Sequence, residues 1–523
     1  MLTFKQSMEL AGRCCLTHLD SDKDYMLTGG YEVAHDTGRW WDAMLRLEAA
    51  TGFVIPAELE AAMLRNLHTL TDNADDLLMN HPDIPWLPTC INPHNFREGM
   101  LAFNALVRYR GSGWARRAGH RLLETMDRCY RPDGRFDYSK LVCAGKVPLS
   151  DDPSHDQSRS PWFDGTGTSG RSLEAIVWFY EATGDPLALR VAERIAVHHL
   201  DHSVNPDGSV RREIIDPQNV GHNHSYLGTL RGLLLYGLLT RRHEYVDAVE
   251  ATYRNSVWQH NVTESGWSPH DLGKSRFPNE DGDPVAEPAS CGDVLQIALW
   301  LATRSGQTEL WDDVERLMRS RILPAQITSA DVQAPCNHGT EITPKMLGGW
   351  GSSGNPYGKG CIFDILAAVL HTETDVYQNV LTHTPLGLAV NLHFDYVAPE
   401  AQIVVERSRC ATVTCRPWVR DNTLLRVPGW APEESIRLTV DGRDYPLKRI
   451  GSYLHVAKDE FSPGSEIVLR YAMPERTTRE VMRSGKEYRL HWKGDEVVGI
   501  SPREAPLCIH PPSTEEAPMP DPG

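Results

Sequence analysis

A chain of 523 residues exceeds what one hydrophobic core ordinarily organises, so two or three domains are expected. A formal charge of −17, from 70 Asp and Glu against 53 Lys and Arg, excludes a nucleic-acid binder, which needs clustered cations to meet phosphate. No apolar run reaches the roughly 18 residues of an ordinary membrane-spanning helix, which excludes a membrane protein of that kind.

Met1 to Asp22 contain no charged-then-apolar run closing on a small-residue cleavage site, so the expected location is cytoplasmic. Eleven cysteines, scattered and without a CxxC pair, read as reduced thiols in that compartment. The sequon Asn261-Val262-Thr263 is then a chance match.

From the N-terminus to about residue 372 one theme repeats. Amphipathic helices end on a Thr/Ser-Gly stop: AMLRLEAATG to Gly52, FNALVRYRGSG to Gly113, AIVWFYEATGD to Asp185 and LQIALWLATRSG to Gly306. LRGLLLYGLLTRR, to Arg242, takes the same place without the glycine, and CIFDILAAVLH opens a last helix at Cys361. Apolar residues at i, i+3, i+4 and i+7 give each a buried face, and glycine suits the left-handed residue after a helix. Spacings of roughly 60 to 70 residues hold two helices and their loops, so six hairpins closing into an (α/α)6 toroid are predicted, with a loop-lined cleft at one end. Beyond residue 373 the pattern changes to short β-branched runs split by Pro, Gly and Asp-Gly turns, among them AQIVVERSR, ATVTCRPWV, TLLRVPGW and SIRLTVDGR. These predict a C-terminal antiparallel β-sandwich over 373–510 and a disordered, proline-rich tail over 511–523. The class is a multidomain α+β chain.

Polar residues of unusual type cluster just ahead of the predicted inner helices. His35, Asp36, Arg39 and Trp40 form the first group, and His94, Asn95 and Glu98 the second. Trp162, Asp164, Thr166 and Arg171 form the third, and His222 and His224 the fourth. Planar donors and acceptors beside an aromatic ring suit a sugar. Each residue also has a plain structural reading, as a helix cap or a satisfied histidine. His222 and His224, two apart, cannot both face inward from one helix and so suggest a loop.

Several stretches together resemble the glycoside hydrolase family 127 superfamily, typified by β-L-arabinofuranosidases. They are HDTGRWWDAML from His35, HNFREGMLAF from His94, YEATGDPLAL from Tyr180, GHNHSYLGTLRGLLLYG from Gly221, LLRVPGW to Trp430 and YRLHWKGDEVVGISPR from Tyr488. The resemblance implies an (α/α)6 barrel followed by β-sandwich domains, and a carbohydrate substrate. It also implies zinc held by a Glu-x-Cys element and a later Cys-Cys pair, one cysteine being the nucleophile. Here the first element is Glu287-Pro288-Ala289 and the later one falls on Gly351-Ser352, so those thiolates are replaced. Cys291 and Cys361 are the sulfurs nearby, and no cofactor is expected. The family's acid/base carboxylate, sixteen residues before the zinc-binding Glu, corresponds to Asp271. A raised pKa, from burial beside Trp267, would suit an acid; the alternative is a turn or cap residue. Ser169 falls where relatives carry a sugar-binding histidine, and His222 with His224 is the best match to the remaining ones.

The expected function is therefore glycoside hydrolysis of a plant or bacterial oligo- or polysaccharide. Asp271 is the predicted acid, Glu287 and His338 are the other catalytic candidates, and His270 joins the substrate-binding set. An inverting enzyme would hold its two carboxyls ~6.5–9.5 Å apart; a retaining route would run through Cys361. The alternatives are a polysaccharide lyase acting on uronic-acid residues, with Arg39, His224 and Tyr226 in the site, or a catalytically inactive carbohydrate-binding relative. The partner is a carbohydrate, with no nucleic acid or membrane, and the sandwich surface suits a homodimer.

Overall fold

The computed structural model of the protein describes residues 2–28, 32–81, 84, 89–91, 94–148, 169–279, 281–329, 343–350, 363–504, 509–511 and 513. Among the described residues, twelve α-helices of seven residues or more build the N-terminal part: α1 (Phe4–Thr17), α2 (Val33–Thr51), α3 (Ala57–Thr71), α4 (His94–Arg110), α5 (Gly113–Cys129), α6 (Ser169–Thr183), α7 (Pro186–His202), α8 (Asn223–Thr240), α9 (His243–Thr252), α10 (Pro288–Arg304), α11 (Trp311–Leu317) and α12 (Phe363–Gln378). Local chemistry sets their ends. Thr3 and Gln6 form a capping box on α1, Ser112 caps α5, and Asp185 caps α7 ahead of Pro186. Gly52, at φ +76°, takes the left-handed turn that stops α2.

The helices alternate between two rings. α2, α4, α6, α8, α10 and α12 pack neighbour on neighbour and close back on α2, while α1, α3, α5, α7, α9 and α11 each lie against one of them from outside. Burial follows the rings. Every residue of α8 from Asn223 to Gly237 is buried, whereas α5 buries one stripe, Ala115, Ala118, Leu122 and Met126. Inner helices approach closely: a Cβ on Gly38 of α2 would lie 2.3 Å from the carbonyl oxygen of Glu98 on α4. The predicted (α/α)6 toroid is the observed one.

Some boundaries differ. Gly113 starts α5 instead of ending the previous helix, because Gly111 takes the positive φ and Ser112 caps the new helix. α8 stops at Thr240, with Arg241 left-handed in the absence of a glycine. The domain boundary expected at 372/373 falls inside α12, which continues because His371 reaches Asp42 and Asp375 pairs with Arg46 across the ring. Thr372 and Thr374 imitate a strand in sequence, but these ionic ties hold a helix.

The C-terminal part packs two sheets over a core that includes Val390, Val413, Leu425, Leu454 and Leu469. One orders Arg443–Asp444, Arg437–Val440, Ile467–Ala472, Cys410–Pro417, Ala401–Arg407 and Tyr396–Val397; the other orders Arg449–Ile450, Tyr453–Val456, Thr423–Arg426, Gly387–Val390 and Leu381–Thr384. Pairing is antiparallel except between Gly387–Val390 and Thr423–Arg426, which run parallel. A third, three-stranded sheet, Glu475–Val481, Glu487–Lys493 and Glu496–Ser501, packs Tyr488, Leu490 and Trp492 against Trp267 and Ala286 of the helical part. The start of the predicted tail is ordered on this sheet: Ile500 N–H donates to the Pro511 carbonyl at 3.0 Å, and Ser513 N–H to the Ile500 carbonyl at 2.9 Å. Residues 514–523 lie outside the described residues.

Candidate active site

Because outer helices carry the chain back between inner ones, all six inner helices point the same way, and their first turns meet at one end of the ring. Those turns are where the apolar pattern breaks. The floor is a chain of buried ion pairs. Arg97 bridges Glu98 (2.7 Å) and Glu174 (2.5 Å), and Arg231 bridges Glu174 (2.7 Å) and Asp293 (2.5 Å). Asp293 also meets His224 Nδ1 at 2.5 Å, and His224 Nε2 lies 3.2 Å from Arg39. Arg39 approaches Glu98 at 3.4 Å and donates to the Asp364 carbonyl at 2.8 Å. In a low-dielectric interior such a network is stable only where each charge finds a partner. His35 lies 3.4 Å from Glu98 and 4.0 Å from the Asp364 carboxylate, with its ring edge-on to His94 at 4.6 Å.

The mouth is built by the loop between α9 and α10. Asn223, at the start of α8, donates to the carbonyls of Asn261 and Pro269 and to Ser268 Oγ, clamping that loop onto the helix end. This buries Asn261, so the sequon asparagine has no access to solvent. The third sheet supports the loop from outside: Arg483 donates to the carbonyls of Asp271, Leu272 and Gly273, and Ser484 binds Asp283. So held, His222 Nε2 stands 3.4 Å from Glu287, and the His222 and His270 rings lie 4.7 Å apart. His222 Nδ1 is satisfied by Ser225 Oγ at 2.8 Å and His270 Nδ1 by Asp271 at 3.0 Å.

Electrostatics separates the carboxyls. Burial opposes ionisation of Glu287, yet His222, His270 and Arg171 hold it at about 2. Burial pushes Asp364 up, with Arg39 opposing and Glu287 adding to the rise. Asp36 is pushed well up by burial and by Asp364 beside it, and its Oδ1 has no hydrogen-bond partner. Burial raises Asp293 to about 7 despite Arg231. Burial lowers His222 to about 4, so its imidazole is neutral at physiological pH.

The fold gathers most of the sequence-predicted residues. His35, Asp36, Arg39, His94, His222, His224, His270, Asp271 and Glu287 converge on this end of the ring. Asp271 departs from the acid expected of it. Its carboxylate accepts from Arg276 N (2.8 Å), Nε (3.2 Å) and Nη2 (3.0 Å), and although burial acts to raise its pKa, His270 and Arg276 hold it well below the usual range. Trp267 packs into the third sheet's core. Trp40 is 0% exposed and edge-on to Trp41 in the helical core, so it presents no face to a sugar. Asn95 is turned to the Leu78 carbonyl, at 2.7 Å, and fixes a loop. His222 and His224 both reach the cleft because His222 is the cap ahead of α8 and only His224 is helical. Tyr226, invoked for elimination, is wholly buried and pushed up by burial, which leaves it unfit as a base. Trp162, Asp164, His338 and Cys361 lie outside the described residues, as do Gly351 and Ser352.

Among the described residues no cysteine is placed to hold the zinc–thiolate group of family 127. Ala289 stands where a thiolate is required, and Cys291 is buried beside Arg321, its thiol pushed up to about 12 by burial. Among the described residues the clusters with metal-ligand spacing are His35–His94–Glu98 and His222–His270–Glu287, neither of which includes a cysteine.

Arg97, Glu174, Arg231, Asp293 and Asp364 belong to the site and were not singled out in sequence. Except for Arg97, which adjoins Glu98, these are charges set in largely apolar helical runs, such as Arg231 ahead of GLLLYG or Asp293 ahead of VLQIALWL, and a charge there must be paired or functional.

No protein-family model and no curated protein matches the chain. Solved structures do. A protein described as a glycoside hydrolase superposes with a TM-score of 0.59 at 14% identity, over 95% of this chain and 81% of its own. A family 127 β-arabinofuranosidase gives 0.58 at 13%, over 94% and 78%. The family 127 β-L-arabinofuranosidase of Geobacillus stearothermophilus gives 0.55 at 13%, over 94% and 80%. The chain thus has the fold of the family 127 glycoside hydrolases, helical ring and sheets together.

Proposed function

We propose that the protein is a glycoside hydrolase in which Asp364 protonates the leaving oxygen and Glu287 is the ionised partner. The observation that carries this reading is the pair itself: two carboxyls at one end of the ring, pushed in opposite directions by their surroundings, Asp364 upward and Glu287 downward. Burial and the neighbouring Glu287 charge favour the protonated form of Asp364, and its side chain is still 20% exposed. Glu287 stays charged because His222 and His270 face it.

In the reaction Asp364 gives its proton to the glycosidic oxygen as the bond to the anomeric carbon breaks. Glu287 meets the positive charge that develops there, either by taking a proton from an attacking water or by bonding the carbon itself. His222 and His270 keep Glu287 placed, while Asp271, fixed by Arg276, orients His270. The third sheet contributes by holding the loop that carries His270 and Asp271.

The test is incubation with plant and bacterial oligosaccharides, including arabinofuranosides, rhamnosides and uronides, followed by mass spectrometry and ultraviolet absorbance. Water-added fragments from the wild type, absent with Glu287→Gln and with Asp364→Asn, are expected. Unsaturated, ultraviolet-absorbing fragments would instead establish elimination. Sugar binding without any product would make the chain a binding protein.

A further inference from the structure

Arg171, in the first turn of α6, is 2% exposed, and its guanidinium is only partly satisfied. Nη1 donates to Ser225 Oγ at 3.2 Å and lies 3.4 Å from His94 Nδ1. Nε and Nη2 have no hydrogen-bond partner among the described residues. The other arginines of the floor, Arg39, Arg97 and Arg231, each lie against a carboxylate. Those carboxylates are committed elsewhere, Glu98 to Arg97 and Asp293 to Arg231 and His224. Among the described residues no carboxylate comes within ion-pair distance of Arg171.

The two unused groups are not arbitrary. Nε–H and the adjacent Nη2–H form one edge of the planar guanidinium, with parallel donors at the spacing of two carboxylate oxygens. Packing fixes the stem that carries this edge: a Cβ on Gly228 of α8 would sit 3.1 Å from Arg171 Cγ. Burying a cation with half its donors idle is costly, and a ligand carboxylate that met those donors would recover the cost. The charge of Arg171 acts on both Glu287 and Asp364, so it lies at the same end of the ring as the proposed reacting pair.

We propose that the free edge of Arg171 receives a carboxylate carried by the substrate, so that the cleft is a uronide site. A neutral furanoside would leave the guanidinium unsatisfied; a uronic acid at the end of a chain would close the network with two charged hydrogen bonds. This specificity rests on the hydrolase reading for its placement, but it is a binding property and can be tested apart from turnover.

The experiment is calorimetric titration of the full chain with glucuronate and galacturonate, with glucose and galactose as neutral counterparts and galactose 6-sulfate as the second anionic source. Wild type is expected to bind at least one uronate about tenfold or more tightly than its neutral counterpart, as charged hydrogen bonds allow. Arg171→Gln should erase that preference, and Arg171→Lys, which keeps the charge without the planar edge, should retain a small part of it. A uronate-induced rise in melting temperature, present in wild type and missing in Arg171→Gln, is the second readout. No uronate preference, a preference that survives Arg171→Gln, or tight binding of the sulfate alone would each overturn the proposal. Arg171-dependent uronate binding without hydrolysis would sink the hydrolase reading and leave the subsite standing. Hydrolysis of neutral glycosides with no uronate preference would do the reverse.

Discussion

At the seam between the helical ring and the sandwich, Arg426 sits between Asp312 and Glu315, Arg319 lies 2.9 Å from Glu315, and Arg407 pairs with Asp495. On the cleft floor the same residue types meet at similar burial, and the difference lies in pairing: Arg407 of the seam also keeps idle donors but faces Asp495 and Glu315, whereas one floor arginine faces no carboxylate among the described residues. Arg171 lacks a carboxylate, Asp36 has an idle oxygen, and Asp293 is raised to about 7. In the seam burial opposes ionisation of Glu315, but Arg319 and Arg426 overcome it and hold it below the usual carboxylate range. A closed charge network fastens two parts of a fold together. An open one keeps charge ready for something that arrives.

The largest effect is expected from breaking the closed network. Arg426→Ala takes the shared partner of Asp312 and Glu315 out of the seam, leaving Glu315 to Arg319, and should lower unfolding free energy by about 3 kcal/mol. Arg171→Gln removes a charge that has no carboxylate to strand, so urea unfolding should be unchanged or slightly more difficult. Equal losses at the two sites would erase the distinction between seam and cleft.

Within the cleft, Glu287→Gln and Asp364→Asn should each reduce turnover about 10²–10⁴-fold, the range for a lost acid or base. Asp364→Asn should leave the melting temperature unchanged or higher, since burial disfavours the charge that the substitution removes. Asp271→Asn should behave in the opposite sense, with a smaller rate loss and a clear loss of stability, because Arg276 and His270 lean on its charge. A rate loss at Asp271 as large as at Asp364 would restore Asp271 as the acid.

Much of this was legible in the sequence, for reasons visible in particular segments. Helix stops at Gly52 and Gly306 and the apolar period between them give the ring; Pro, Gly and Asp-Gly turns give the sandwich. His35, Asp36 and Arg39 stand out because three polar residues open an otherwise apolar helix. What sequence spacing could not supply is which charges pair. Counting back from Glu287 finds Asp271 but not Arg276, five residues on, whose side chain and backbone N–H turn an expected acid into an anchored anion. Asp364 and Asp293 look like helix residues until the ring closes and brings α10 and α12 onto α8 and α2. Arg171 is the extreme case, since its significance is a partner it does not have.

A third carboxyl tests burial apart from either network. Glu373 of α12 is fully buried against α1, receives a hydrogen bond from Ser7 Oγ at 3.2 Å, and is raised by burial to about 8. The unfolded chain loses this proton near the ordinary value of 4.5. Between those values the folded state binds more protons than the unfolded one, so stability falls as pH rises from about 4.5 to about 8 and then levels. Glu373→Gln should flatten that slope, stabilising the protein at pH 8 and changing little at pH 4. An unchanged slope would place the titration elsewhere, Asp293 being the next candidate.

The smallest effect separates a free carboxylate from a ligand. His222 and His270 each have Nδ1 occupied, by Ser225 and Asp271, which leaves the other ring nitrogen of each as a donor beside Glu287. Oriented imidazoles next to a carboxylate can take a zinc ion even where the family's thiolates are gone. If Glu287 acts as a free base or nucleophile, added zinc should compete with that role and inhibit. Chelation should reverse the inhibition, and His270→Ala should require more zinc for the same effect. Zinc titrations of initial rate, with and without chelator, decide the matter. Activation by zinc would make Glu287 a ligand and move the chemistry to the remaining carboxyls, Asp364 and Asp36. Indifference to zinc would mean that the hydrogen bonds from Ser225 and Asp271 hold the two rings too firmly to converge on a metal.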